Sequence, residues 1–125
     1  MAFGGDAERA IDWGERAIRL SPLDSMNYIP QGIIGFANFL LGRHEEAVVA
    51  ARRAVQLNPG FSLLHGWLAA PLAKLGRIEE AKVAGSRLLA LHPGFSSRRW
   101  CAAVGVAPHI SGTVIDALRQ AGLPE

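Results

Sequence analysis

Gly42-Arg43-His44-Glu45-Glu46-Ala47, continuing through Ala50, Ala51, Ala54 and Leu57 to Asn58-Pro59-Gly60, is the stretch that decides how the chain is read. It returns as Gly76-Arg77-Ile78-Glu79-Glu80-Ala81, through Ala84, Gly85, Leu88 and Leu91, to His92-Pro93-Gly94. A looser copy stands upstream, where Gly5-Asp6-Ala7-Glu8-Arg9-Ala10 leads through Trp13, Gly14, Ala17 and Leu20 to Ser21-Pro22. In each copy, small or apolar residues recur three and four positions apart, the spacing of one helix face. Carboxylates stand in the first turn, where the helix dipole favours them, and a proline that cannot extend the helix closes the copy. Pro59 and Pro93 are 34 residues apart and Pro22 and Pro59 are 37 apart, so the chain is a tandem array with a period near 34.

Between these copies lie segments with the same helical spacing. Helices are predicted over 6–20, 25–41, 44–57, 62–75, 78–91, 95–103 and 111–121, about seven in all, and no strand pattern survives. The helix over 25–41 is apolar on most sides and is expected to be the most deeply buried. Pro71 inside the fourth helix removes a backbone bond and predicts a kink, and Gly42 and Gly122 are placed to end helices in a left-handed turn. The last helix, with Val114, Ile115 and Leu118 in its stripe, reads as a cap on the exposed end of the stack. The organisation is one all-α domain over 1–125: a half repeat at 6–22, repeats at 23–59 and 60–93, and a partial repeat with its capping helix at 94–125.

Composition sets the bounds. Half of the 125 residues are hydrophobic, 19% are charged and the mean hydropathy is +0.18, so some apolar surface is expected to meet a partner. Thirteen Lys and Arg against 11 Asp and Glu leave a net charge of +2, with basic and acidic residues alternating and no basic run longer than two, which argues against nucleic acid. A single cysteine, Cys101, excludes an internal disulfide and fits a reducing compartment, so the cytoplasm is expected. Residues 1–5 have no secretory pattern, and the uncharged run 25–42 carries too many Gly, Asn, Gln and Pro residues for a membrane span.

The turn glycines Gly42 and Gly76, the small residues Gly35 and Ala69, the alanines Ala10, Ala47 and Ala81, and the closing prolines Pro22, Pro59 and Pro93 together resemble the tetratricopeptide repeat family over 6–103. The resemblance implies an α-solenoid of antiparallel helix pairs that binds proteins. Three extra residues between Pro22 and Gly42, and Gln31 and His65 where the family has a large residue, depart from the pattern. More narrowly, the 42–47 and 58–60 stretches and the ending Ala117-Leu118-Arg119-Gln120-Ala121-Gly122-Leu123-Pro124-Glu125 look like the C-terminal repeats of bacterial class III adenylate or guanylate cyclases. That likeness implies a bacterial signalling protein's regulatory or oligomerisation tail and carries no catalytic residue with it.

Family resemblance also assigns a concave groove to Ile29, Gly32, Phe36 and Phe39 from one helix and Leu63, Gly66, Ala70 and Ala73 from the next, with Lys74 at its edge. These positions lack the cations that grip a terminal carboxylate. The expected occupant is apolar: a partner helix, the chain's own last helix, or a second copy. The first repeat is only half present, so Ala10, Trp13 and Ala17 lack an inner partner and a homodimer through these helices is expected.

Catalytic and ligand chemistry find little support. His44, His65, His92 and His109 are never three or four apart and read as helix-end and surface residues, so no metal and no cofactor is expected. Glu45-Glu46 and Glu79-Glu80 are adjacent and point apart, and no glycine cluster follows a strand and precedes a lysine. Trp13, Trp67 and Trp100 are expected to pack in the core or groove. A non-catalytic interaction module is the leading reading; the rival is an enzyme or small-ligand protein with a site near Trp100, Cys101 and His109.

Overall fold

Three glycines end three helices in the same way. Gly42, Gly76 and Gly122 have φ of 80°, 78° and 85°, a region open to glycine and strained for other residues. In each case the residue after the glycine donates its N–H back to a carbonyl five residues earlier: Arg43 to Asn38 at 2.8 Å, Arg77 to Leu72 at 2.9 Å, Leu123 to Leu118 at 3.0 Å. These motifs fix the exit direction of the chain. In the first two, the next helix returns antiparallel to the one just ended.

The structure, a computed structural model, describes residues 3–104 and 108–125, with side chains over residues 6–103 and 110–125. It contains α1 (Phe3–Leu20), α2 (Tyr28–Leu40), α3 (His44–Leu57), α4 (Ser62–Lys74), α5 (Ile78–Leu91), α6 (Ser97–Val104) and α7 (Pro108–Gln120). Among the described residues there is no strand. The extra residues after Pro22 form a turn of 3-10 helix, Ser25–Asn27, capped by Asp24, whose carboxylate accepts from the Met26 N–H at 2.9 Å. Gly105 and Pro108 predict an end to the helix over 95–103; α6 is described as far as Val104, and Pro108 begins α7, three residues before the expected start at 111, where its missing N–H costs nothing. Gly105 lies outside the described residues.

Helices α2 and α3 form one hairpin and α4 and α5 the next, with α1 against α2 and α7 against α4. The α2–α3 crossing is as close as Gly35 allows, since a Cβ there would stand 3.1 Å from the Ala51 nitrogen and 3.3 Å from the Ala47 carbonyl oxygen. Ala47, Ala51, Ala54, Ala69 and Ala81 are all fully buried, and these small residues let the backbones approach. Helix α4 is the centre of the molecule. Nine of its residues are buried against seven of α2, so α2 is not the most buried helix as its composition predicted. The reason is position: α4 is covered by α2, α3, α5 and α7, whereas α2 lies nearer one end. Helix α4 continues as a single helix through Pro71, which is itself buried.

On α1 the expected stripe is rotated. Ala7 is 1% exposed and Gly14 is buried, while Trp13 and Leu20 are 51% and 83% exposed, so Trp13 is not a core or groove residue. A Cβ on Gly14 would come within 2.7 Å of Ile34 Cγ1. The contact is therefore made by the smallest residues of the helix, with Ile11 and Ile18 beside them, and Ala10 and Ala17 are half-buried.

The last residues return to the start of α6. The N–H groups of Ser97 and Arg98 donate to the carbonyls of Pro124 and Glu125, both at 3.0 Å, and the hydroxyls of Ser96 and Ser97 bond the same two carbonyls. Gly85 on α5 leaves room for the Ala121 carbonyl.

Candidate functional site

The concave groove assigned from the sequence is largely filled. Gly32, Phe39, Gly66, Ala70 and Ala73 are buried, Phe36 and Leu63 are half-buried, and only Ile29 and Lys74 are exposed. Each closure has a visible cause. A Cβ on Gly32 would lie 2.8 Å from the Trp67 ring and 2.9 Å from Leu64, and one on Gly66 would lie 2.9 Å from Leu88. Ala70 and Ala73 belong to the core that α7 completes with Val114, Ile115 and Leu118. The chain's own last helix, one of the three occupants considered, sits against α4.

What remains open on this side is an aromatic strip. Phe36 stacks on Trp67 with ring centroids 5.3 Å apart and meets the edge of Trp100 at 5.7 Å, and Tyr28 meets Phe61 edge-on at 5.8 Å. These offset and edge contacts suit the ring quadrupoles. The indole Nε1 atoms of Trp67 and Trp100 are buried without a hydrogen-bond partner.

Beside the strip lies a pocket of about 320 Å³ between the start of α4, the 92–96 turn and α6. Its walls include Phe61, Leu63, Phe95, Trp100 and Ala103, with Ser62, His92, Ser96 and Arg99 as the polar groups. No carboxylate lines it. The sequence reading had singled out Leu63 and Trp100 but not Phe61, Phe95 or Arg99. The repeat itself pointed to two of them, because Phe61 follows Pro59-Gly60 as Phe95 follows Pro93-Gly94.

The rival constellation does not assemble as a reactive centre. Trp100 faces the pocket, but its neighbour Cys101 is 3% exposed within the core, and burial pushes its thiol above the usual cysteine range. A thiol of that kind is less of a nucleophile at neutral pH. The side chain of His109 lies outside the described residues. Among the other histidines, His65 is not the surface residue predicted: it is 2% exposed, and its Nε2–H donates to the Pro59 carbonyl at 2.8 Å, which fixes its tautomer. His44 is half-buried, and burial, helped by Lys74, lowers its pKa. Among the described residues, no group of three or more His, Cys, Asp or Glu is arranged to hold a metal ion. None of their helices is long and apolar enough to cross a membrane.

The opposite face carries two clefts related by the repeat. The first, about 790 Å³, lies between α1 and α3 over Gln31, Ile34 and Asn38; the second, about 330 Å³, lies between α3 and α5 over His65, Leu68 and Leu72. Arg52 bridges the second to Glu80 at 3.2 Å, and Arg77 holds the same carboxylate at 2.7 Å, keeping it below the usual glutamate range. Arg43 ties α1 to the α2–α3 turn through Glu8 at 2.7 Å.

Paired antiparallel helices, left-handed glycine turns and a closing helix define an all-α, tetratricopeptide-like solenoid. The solved structure of MamA is similar to it, with a TM-score of 0.57 at 19% identity over 92% of this chain and 75% of that one. No protein-family profile matches the chain, and no curated protein does.

Proposed function

We propose that this chain is a non-catalytic protein-interaction module that takes an apolar partner along the concave side. The observation that carries the reading is the aromatic strip of Tyr28, Phe36, Phe61 and Trp100, with Ile29 and Leu63 beside it, still partly uncovered after α7 has docked. A strip of this kind gives a peptide large rigid contact area at little entropic cost. Selection from a displayed peptide library, followed by mapping of amide shift changes, tests it. Selected peptides should perturb 28–36, 61–67 and 95–103, and peptides that map only to the outer clefts would overturn it.

Self-association belongs to the same proposal. Trp13 stands 51% exposed on the outer side of α1, flanked by half-buried Ala10 and Ala17, and a twofold contact between two such helices would cover it. Light scattering over a dilution series should show a dimer that Trp13→Glu converts to a monomer; a monomeric mass at every concentration would remove the dimer from the reading. A role as the tail of a bacterial signalling protein rests on the cyclase-like stretches of sequence alone, and a cytoplasmic location on the single cysteine, Cys101.

A further inference from the structure

We infer that the pocket between α4 and α6 is an anchor site for an acidic peptide: it takes one large apolar side chain while Arg99 at its rim pairs with an Asp or Glu within two residues of that anchor. The inference rests on the interaction-module reading and specifies its partner. Three observations carry it. The volume, about 320 Å³, is at the small end of ligand pockets and suits a single aromatic or large aliphatic group. The walls are Phe61, Leu63, Phe95 and Trp100, so the anchor leaves water for a mostly apolar lining.

The third observation is charge. Arg99 is exposed and forms no ion pair among the described residues, whereas Arg98 beside it is held by Glu125 at 2.8 Å and Arg119 is held by Asp116 and Glu125. The local carboxylates are thus committed elsewhere, and the pocket has a guanidinium with no partner and no acid in its lining. An extended peptide places side chains two apart on one face, which brings an acid two residues from the anchor to the rim.

Three fluorescein-labelled capped hexapeptides test this by anisotropy: one with Phe at its third position and Glu at its fifth, one with Gln for the Glu, and one with Ala for the Phe. The Phe/Glu peptide should bind at least about three-fold tighter than Phe/Gln, the range of an exposed charge pair, and much tighter than Ala/Glu. Arg99→Gln should erase the first preference and leave the second. Ala103→Trp, at an exposed position, should fill the pocket and weaken both Phe peptides, with an unchanged thermal midpoint showing that the fold is intact.

A Glu preference that survives Arg99→Gln overturns the assignment. So does 3-phenylpropionate binding as tightly as the peptide, which would make the occupant a small acid, or conversion of a dimer to monomer by the peptide, which would make it a second copy. If library-selected peptides bind the concave strip while all three hexapeptides fail at millimolar concentration, the pocket assignment falls and the module reading stands.

Discussion

The two outer clefts are built from residues 34 positions apart, Gln31 and His65, Ile34 and Leu68, Asn38 and Leu72, Glu46 and Glu80, Val49 and Val83, Arg53 and Arg87, yet one is more than twice the volume of the other. The difference lies in what crosses the gap. In the second, Arg52 reaches Glu80 and the buried His65 fills the floor. In the first, Glu15 occupies the position of Arg52 and lines the cleft with Glu46, a residue of the same charge, and Gln31 replaces the histidine. The extra residues at the turn before α2 also set α1 in its own register. A repeat therefore specifies the helix pair more firmly than it specifies the seam between pairs.

Exchanging residues between the seams tests this. The largest effect is expected from Leu72→Asn, which puts the first seam's residue into a fully buried site and should cost about 3 to 5 kcal/mol in urea unfolding. The reverse change, Asn38→Leu, should fall within about 1 kcal/mol of the parent, because the Asn38 side chain donates only to the Ile34 carbonyl of its own helix among the described residues, at 2.9 Å. Equal costs for the two would mean that the seams are energetically alike.

A smaller effect is expected from Glu15→Arg, which installs the missing cross-link opposite Glu46. A double-mutant cycle with Glu46→Gln should return a coupling of about 0.2 to 1 kcal/mol, and zero coupling would place the cause of the wide seam in the turn alone.

The smallest effect concerns His44, whose counterpart in the next repeat is Ile78. Burial first, and Lys74 second, lower its folded pKa from 6.5. A neutral imidazole is thus favoured in the fold: its contribution is fully present above 6.5 and is lost as pH falls from there toward the folded value. His44→Ile should remove that part of the acid-side fall in thermal midpoint, and identical pH profiles for parent and variant would contradict the placement of the ring.

Much of this architecture was readable from spacing. The glycine turns, closing prolines and small residues at the α2–α3 crossing all sit where the period put them, because each is a local backbone requirement. The filling of the groove was not readable. Periodicity says that Ala70 and Ala73 face something apolar, but only the chain's path decides whether that something is a partner or α7. Trp13 was misplaced for a related reason: α1 has large apolar residues on several sides, and Ala7 and Gly14, which permit close approach, set the packed face. His65 looked polar and therefore external, until the Pro59 carbonyl gave it a partner inside.

The return of residues 121–125 to α6 makes two distant parts of the chain a single cooperative unit. Helix α6 has eight residues, short of the roughly 12 to 15 that an isolated helix needs, and its first amides are satisfied by carbonyls more than 20 positions later in sequence. A helix this short depends on that segment, and on its packing against α7, for its stability. Because Trp100 rides on α6, the wall of the pocket and the edge that meets the Phe36–Trp67 stack hang on the same tether, the carbonyls of Pro124 and Glu125.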